Sequence, residues 1–250
     1  MSIDFCVPVY NEDAIFLANA KKILYFLQNQ GLAAAWRLVF IVNGSTLSFQ
    51  TMVQSFADQN KAQVLCFIVE KDGKGRAIRT YFDASCADIL VYMDIDLAVD
   101  LNDLNCLLAP VLSGEVDLCF GSRMLPASIR TRSWYREWSS RAYLYLSRFL
   151  LKHNFTDLQC GFKAIKSQAW RQLSLLIRDN AWFFGTELIY FAQQRGLVLR
   201  EIPVNWSENR YSYRRSKIKV WQQAWVFFKK TVNLRYRALS LKKANNINHF

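Results

Sequence analysis

Short apolar runs alternate with longer mixed stretches through the first half of the chain. Segments 3–9 (IDFCVPV), 36–42 (WRLVFIV), 62–69 (AQVLCFIV) and 88–94 (DILVYMD) are rich in Val, Ile and Phe and too short for helices. Such near-continuous apolar runs mark strands covered on both faces. Between them, 13–30, 46–60 and 74–86 mix polar and apolar positions over helical lengths. This β-α-β-α-β-α-β order predicts an α/β fold with a mostly parallel sheet and helices on both faces. A further strand is predicted at 116–121 (VDLCFG), before Gly121-Ser122-Arg123.

Beyond residue 121 the pattern changes. In 134–152, Trp138, Ala142, Tyr145 and Phe149 form one helical stripe. In 217–237, Trp221, Trp225, Phe228 and Val232 repeat the design, and Arg and Lys crowd the flanks of both. No repeat, linker or low-complexity tract interrupts the chain. The expected organisation is one domain over 1–215, with halves at 1–120 and 121–215, followed by a basic amphipathic helix and tail at 216–250.

Composition sharpens the contrast between the halves. With 52% hydrophobic and 21% charged residues in 250, the chain is globular rather than disordered. Residues 1–120 carry 8 Lys and Arg against 14 Asp and Glu, a net of −6; residues 121–250 carry 24 against 6, a net of +18. The basic, aromatic-rich half suits a nucleic acid or an anionic membrane surface, and the acidic half could carry a metal. The six cysteines form no CxxC pair and there are two histidines, which argues against zinc and for a reducing cytosol. No basic-then-apolar leader opens the chain, and no run of about 18 uncharged apolar residues occurs. The expectation is a cytoplasmic protein with no signal peptide and no spanning helix, in peripheral contact with a membrane.

Ligands of such sheets gather at the carboxyl ends of the strands. Those ends are PVYNE, VNGST, EKDGKG and DID. Asp94 and Asp96, two apart after a buried strand, could share one Mg²⁺ or Mn²⁺ with the phosphates of a nucleotide. In PVYNE, Asn11 is a candidate helix cap and Glu12 a first-turn acid; the alternative sets Tyr10 and Glu12 against a nucleobase. In Lys71-Asp72-Gly73-Lys74-Gly75-Arg76, glycines and a helix N-terminus could admit phosphate beside Lys71 and Lys74, or simply form a turn. The spacing is not that of a P-loop.

Taken together, PVYNE, VNGST, KDGKGRAIR, MDIDLAVD and GSR, followed by FTDLQCGFKAIKS (155–167), FFGTELI (183–189) and EIPVNWSE (201–208), resemble family 2 glycosyltransferases of the GT-A fold. The branch is that of polyprenyl-phosphate sugar transferases, most similar to dolichyl-phosphate glucosyltransferases. The resemblance covers about residues 3 to 220. It implies a Rossmann-like nucleotide-sugar half and an inverting transfer from UDP-glucose, or a GDP-mannose type donor, to a polyprenyl phosphate at the cytosolic membrane face. Pro8, Tyr10, Asn11, Glu12 and Asn43 would hold the base and ribose. Asp94, Ile95 and Asp96 would hold the metal and diphosphate, with Lys71 and Lys74 nearby. Ser216 and Lys217 match a loop that closes over the diphosphate. Arg123, Arg136 and Ser140 would grip the acceptor phosphate, and Asp157, Gln159 and Glu187 would lie near the sugar or acceptor; Asp157 and Arg123 join the two aspartates as catalytic candidates. Val42 stands where the family carries a carboxylate, and Arg215 replaces a family glycine.

Other readings stay open at this level. A protein or soluble-glycan acceptor is one. A nucleotidyltransferase would carry a glycine- and arginine-rich loop where PVYNE stands. A nucleic-acid module would need a recognisable motif, and none is present. A silent membrane scaffold would not need Asp94, Asp96 and Asp157. The sequence leaves the oligomeric state undetermined.

Overall fold

The computed structural model describes residues 1–131, 134–207 and 220–247; the side chains of 130–141, 220–224 and 242–247 lie outside that description. The strands are β1 (Ser2–Val9), β2 (Ala35–Asn43), β3 (Val64–Val69), β4 (Ile89–Met93), β5 (Leu118–Ser122), β6 (Ile129–Thr131), β7 (Phe162–Lys166), β8 (Leu199–Pro203) and β9 (Asn205–Ser207). The helices are α1 (Phe16–Gln28), α2 (Leu47–Gln59), α3 (Lys74–Ala84), α4 (Leu104–Leu112), α5 (Trp134–Leu151), α6 (Ser167–Leu173), α7 (Phe184–Gln194) and α8 (Val220–Ile247).

Seven strands form one sheet in the order β3-β2-β1-β4-β7-β5-β8. Only β7 runs against its neighbours, pairing antiparallel with β4 and β5. The expected mostly parallel sheet is present, and its second-half strands interleave at one edge. Strand alternation sorts the core into two layers. Phe5, Val7, Phe40 and Val42 face α1, α2 and α4, where Phe16 meets Phe40, Phe49 and Phe56 edge to face at 5.0, 5.5 and 5.9 Å. Cys6, Val39, Ile41 and Leu90 face α3, α6, α7 and α8. Val42 is therefore a fully buried core position, where a carboxylate would lack water.

At the amino edge of the sheet, buried Asp4 accepts from Arg37 Nε (3.0 Å) and Nη2 (2.9 Å), Tyr81 Oη (2.7 Å) and Ser85 Oγ (2.6 Å). That knot ties β1, β2 and α3 together away from the carboxyl edge.

One local expectation is corrected. The first helix begins at Phe16, not 13, and Asn11 does not cap it. Asn11 sits at φ 47°, and its Oδ1 accepts from Thr46 N at 2.9 Å, joining the end of β1 to the turn before α2. The aromatic stripe on α5 faces outward: Tyr145 is 68% and Phe149 81% exposed. The packed side of α5 carries Tyr143 and Ser147, with the Tyr143 ring 5.6 Å from Phe227 of α8. Finally, α4, α6, α7 and β6–β9 were not anticipated. Among the described residues no helix is long and apolar enough to cross a membrane.

Candidate active site

The carboxyl edge collects the unusual residues because β4, β7 and β5 are neighbours. Asp94 and Asp96 follow β4, Gly161 precedes antiparallel β7, and Arg123 follows β5. The turn at 94–97 is braced from several sides. Buried Asn19 of α1 donates through Nδ2 to Ile95 O at 2.8 Å. Leu97 takes the left-handed region at φ 52°, a strained choice for a branched side chain. Asp96 Oδ1 accepts from Ala98 N at 3.1 Å. Lys74 Nζ stands 2.5 Å from Asp94 Oδ1, 4.9 Å from the Trp182 ring centroid and 5.6 Å from that of Tyr92. A Cβ on Gly161 would overlap Asp94 Oδ2, so a larger residue there would make this carboxylate swing away from its present position. Downstream, Ser207 N donates to Ala98 O at 2.9 Å and Asp100 N to Asn205 O at 2.9 Å. The VNWS segment thus holds the chain that leaves the two aspartates.

Arg123 and Asp157 form the second charged pair. Nε meets Oδ2 at 2.6 Å and Nη2 meets Oδ1 at 3.0 Å, a two-pronged contact with side chains 20% and 5% exposed. The Arg123 Cζ lies 5.5 Å from the Trp206 ring centroid. Glu201 Oε1 accepts from Thr156 N (2.7 Å), Thr156 Oγ1 (3.0 Å) and Asp157 N (2.8 Å), so EIPVNW orders TDLQ. Buried Lys163 donates to Cys160 O at 2.5 Å, closing the same turn from below. Burial lowers the Lys163 ammonium to about 8.

Burial alone would raise the Asp157 carboxyl, but the charge and hydrogen bonds of Arg123, with the Gln159 amide, hold it at about 2. An unfolded aspartate titrates at about 3.9. The depressed value adds roughly 2 kcal/mol of stability, fully present above about pH 4 and lost as pH falls through 2. Urea midpoints at pH 6, 3 and 2 check this: wild type should lose stability on that limb, and Asp157→Asn should lose less over the same interval.

The donor-side candidates lie along β1–β3. Pro8 is the penultimate residue of β1, and Tyr10 is exposed just beyond the strand. Buried Asn43 donates through Nδ2 to Val9 O at 2.9 Å and accepts from Gly73 N at 3.0 Å through Oδ1. An amide side chain offers a donor and an acceptor at once, which suits Asn43 to bridging a carbonyl and an N–H. At the α3 N-terminus, read as either a phosphate seat or a plain turn, Gly75 N donates to Ala181 O and Arg76 N to Asn180 O, both at 3.1 Å. Two first-turn amides are thereby taken by protein carbonyls. Lys71 is exposed on the approach to α3.

Of the acceptor-side candidates, Gln159 donates its backbone amide to Asp157 Oδ1 at 3.0 Å. Glu187 sits on α7, where it accepts from Arg178 N (2.6 Å), Asp179 N (2.8 Å) and Arg237 Nη2 (2.7 Å). The side chains of Arg136 and Ser140, and the whole of Ser216 and Lys217, lie outside the described residues. Sequence reasoning missed Asn19, Gly161 as Asp94's neighbour, Lys163 and Glu201. Only the glycine in CGFK and the glutamate in EIPVNW gave a signal.

Asp94 and Asp96 offer hard carboxylate oxygens on one turn, the donor chemistry that Mg²⁺ and Mn²⁺ prefer. Asp94 is open enough to reach, with its side chain 36% exposed. The pair fits such an ion.

Comparisons with known proteins agree with the fold. A family model described as Glycosyl transferase family 2 matches residues 4–173. Glycosyltransferase AglD of Haloferax volcanii is 32% identical over 206 residues, covering 82% of this chain and 33% of that protein. Dolichyl-phosphate beta-glucosyltransferase of Drosophila melanogaster is 24% identical over 221 residues, covering 83% of this chain and 68% of that protein. The chain thus spans one third of AglD and about two thirds of the glucosyltransferase. Glucosyl-3-phosphoglycerate synthase of Mycobacterium tuberculosis, solved with Mn²⁺, UDP-glucose and glycerol 3-phosphate, superposes with a TM-score of 0.63 at 17% identity, over 93% of this chain and 78% of that one. The architecture is that of the GT-A glycosyltransferases, and the chain belongs to glycosyl transferase family 2.

Proposed function

We propose that this glycosyltransferase moves glucose from UDP-glucose to a polyprenyl phosphate at the cytosolic face of a membrane. The observation that carries the reading is the Arg123–Asp157 pair on the same edge as Asp94 and Asp96, which offers one place for an incoming phosphate and another for a leaving diphosphate. The name of the dolichyl-phosphate beta-glucosyltransferase supports the acceptor class, and the UDP-glucose bound by the mycobacterial enzyme supports the donor.

The chemistry needs little proton transfer. A phosphate monoester has a second pKa of about 6, so the acceptor oxygen is mostly ionised at neutral pH. It attacks the anomeric carbon of the sugar, a new C–O bond forms, and the bond to the diphosphate breaks with its electron pair. The configuration inverts. Asp157, held at about 2, is a poor base and serves to orient Arg123. Arg123 offsets the charge of the incoming phosphate, and Trp206 limits where its guanidinium can swing. Asp94 and Asp96 would hold a Mg²⁺ or Mn²⁺ ion, which when bound neutralises charge on the leaving diphosphate. Lys74, already on Asp94, adds a second positive group there. By resemblance, Arg136 and Ser140 join the acceptor phosphate, and Ser216 and Lys217 the diphosphate.

The membrane part of the reading rests on the outward aromatics. Tyr145 and Phe149 of α5 and Trp225 of α8 are exposed, and Lys229 lies 5.2 Å from the Trp225 ring centroid. Aromatic rings with neighbouring Lys and Arg suit the headgroup layer of anionic lipid.

A panel of nucleotide sugars assayed with a short polyprenyl phosphate, with Mn²⁺, with Mg²⁺ and with chelator, tests the reading. UDP-glucose turnover that needs a divalent ion is the expected result. Transfer only to a protein or soluble glycan would overturn the acceptor, and preference for GDP-mannose the donor.

A further inference from the structure

We propose that Asp179, Glu187, Lys230 and Arg237 are positioning residues for the donor, forming a strap through which α8 sets Lys74 over Asp94. The inference rests on the assignment of Lys74 and Asp94 to the diphosphate end of the site.

The strap can be followed bond by bond. Lys230 of α8 pairs with Asp179 Oδ2. Arg237, two turns further on, donates through Nη2 to Glu187 Oε1 at 2.7 Å and to Leu176 O at 3.0 Å. Both carboxylates are nearly buried, with side chains 6% and 5% exposed. Their remaining oxygens organise backbone. Glu187 Oε2 accepts from Arg178 N and Asp179 N, while Asp179 Oδ1 accepts from Ala181 N (2.8 Å) and Phe183 N (3.1 Å). The loop at 178–183 therefore has a set shape whose outer oxygens are tied to α8.

That loop in turn holds the start of α3. Its Asn180 and Ala181 carbonyls take the Arg76 and Gly75 amides. Contact is close enough to exclude side chains: a Cβ on Gly75 would stand 2.5 Å from Asp179 O and 2.8 Å from Ala181 O, and one on Gly73 would overlap Asn180 O. Lys74 lies between these two glycines, its ammonium over the Trp182 ring from the same loop. A shift of the loop moves the backbone on both sides of Lys74 and the ring above it. The glycines of KDGKG thus serve the approach of 179–181, and the strap explains why α7 carries a glutamate that faces backbone amides.

Two buried carboxylates matched by two cations from one helix are costly unless the arrangement is kept together, and removing one cation leaves its carboxylate with backbone donors alone. The loss should fall on the loop rather than on the sheet. Energetic coupling through such a contiguous network changes an affinity by about 3- to 30-fold.

The test uses the full chain with Lys230→Met, Arg237→Met and Gly75→Ala, the conservative Lys230→Arg and Arg237→Lys, and Tyr236→Ser on the exposed side of α8. Measured are KM for UDP-glucose, KM for polyprenyl phosphate, the thermal midpoint, and amide exchange at 73–77. The expected result is a donor KM raised several-fold with the acceptor KM unchanged, and faster exchange at 73–77, in the three disruptive variants. Lys230→Arg should recover most of the effect, Arg237→Lys less, because a lysine cannot fork to Glu187 and Leu176 O together. Tyr236→Ser should match wild type. Unchanged donor KM and unchanged exchange in Lys230→Met and Arg237→Met would overturn the strap, as would a parallel rise of both KM values with a lowered midpoint. If wild type transfers sugar from no nucleotide sugar, the functional reading fails instead, and the exchange rates at 73–77 still decide whether α8 holds the loop.

Discussion

Alanine at Asp94 or at Asp96 should lower turnover at saturating donor by about 10²–10³-fold, the usual cost of removing a group that stabilises developing charge. Neither substitution should unfold the protein. Asp94 is partly open to solvent, and Asp96 Oδ1 accepts from Ala98 N within its own turn. The two differ in what they leave behind. Without Asp94, Lys74 loses its ion pair and remains near the diphosphate end as an uncompensated cation, so Asp94→Ala should bind UDP without added metal better than wild type does. Without Asp96, the Lys74–Asp94 pair persists, and the need for Mn²⁺ should rise. Single-turnover rates and calorimetric UDP binding, with and without metal, separate these outcomes. Near-normal rates in both variants would remove the metal site from the mechanism.

The second large effect is at Arg123. Truncation to alanine strands the Asp157 carboxylate, 5% exposed, without its cation. Breaking a buried pair from one side costs about 3–5 kcal/mol, and the acceptor phosphate loses its counter-charge as well. Stability and chemistry then fall together, so Arg123→Ala alone is ambiguous. Arg123→Met combined with Asp157→Leu is cleaner, because apolar replacement of both partners is often neutral for stability. Urea unfolding should find the double variant more stable than Arg123→Ala. Its acceptor KM should stay raised and its turnover low. Recovery of activity in the double variant would mean that the pair only holds the fold. Arg123→Lys should fold well and still bind the acceptor poorly, since an ammonium cannot engage Asp157 with two prongs and keep a face for phosphate.

The parts of this molecule that could be read from its sequence share one property: their cause is local. β1 to β5 stand out because a doubly covered strand needs an unbroken apolar run. The polar turns after them mark the carboxyl edge. Asp94 and Asp96 stand out by position in the same way. What could not be read depends on partners far along the chain. β7 carries Lys163 and Lys166 within FKAIK, so it lacks the look of a buried strand, and its place between β4 and β5 is set by pairing across the sheet. Glu187 looks like a site acid, and Glu201 draws no reading of its own, because a carboxylate serves a ligand or a backbone turn equally well. Their actual donors, Arg178 N, Asp179 N and Arg237 for one, Thr156 and Asp157 N for the other, emerge only in the fold. The packed side of α5 is hidden for a related reason. Tyr145 and Phe149 have the right helical spacing, yet the side that packs carries Tyr143, which reaches Thr186 and Thr231 with its hydroxyl at 3.4 and 3.5 Å. Polar atoms satisfied across a helix interface do not show as hydrophobic periodicity. Asn11 likewise has cap chemistry, but its left-handed backbone turns it toward Thr46.

The most direct measurement is the fate of the sugar carbon. UDP-[¹⁴C]glucose, Mn²⁺ and vesicles containing a polyprenyl phosphate are incubated with the full chain, and the label is partitioned between organic and aqueous phases. Label should enter the organic phase in a product that releases glucose on mild acid treatment, with one UDP formed per sugar moved, and this should vanish when the polyprenyl phosphate is replaced by the free alcohol or when Asp94 is replaced by alanine. Label that stays in water, or that reaches lipid equally well with the phosphate-free alcohol, would contradict a transfer built on one site for a leaving diphosphate and another for an incoming phosphate.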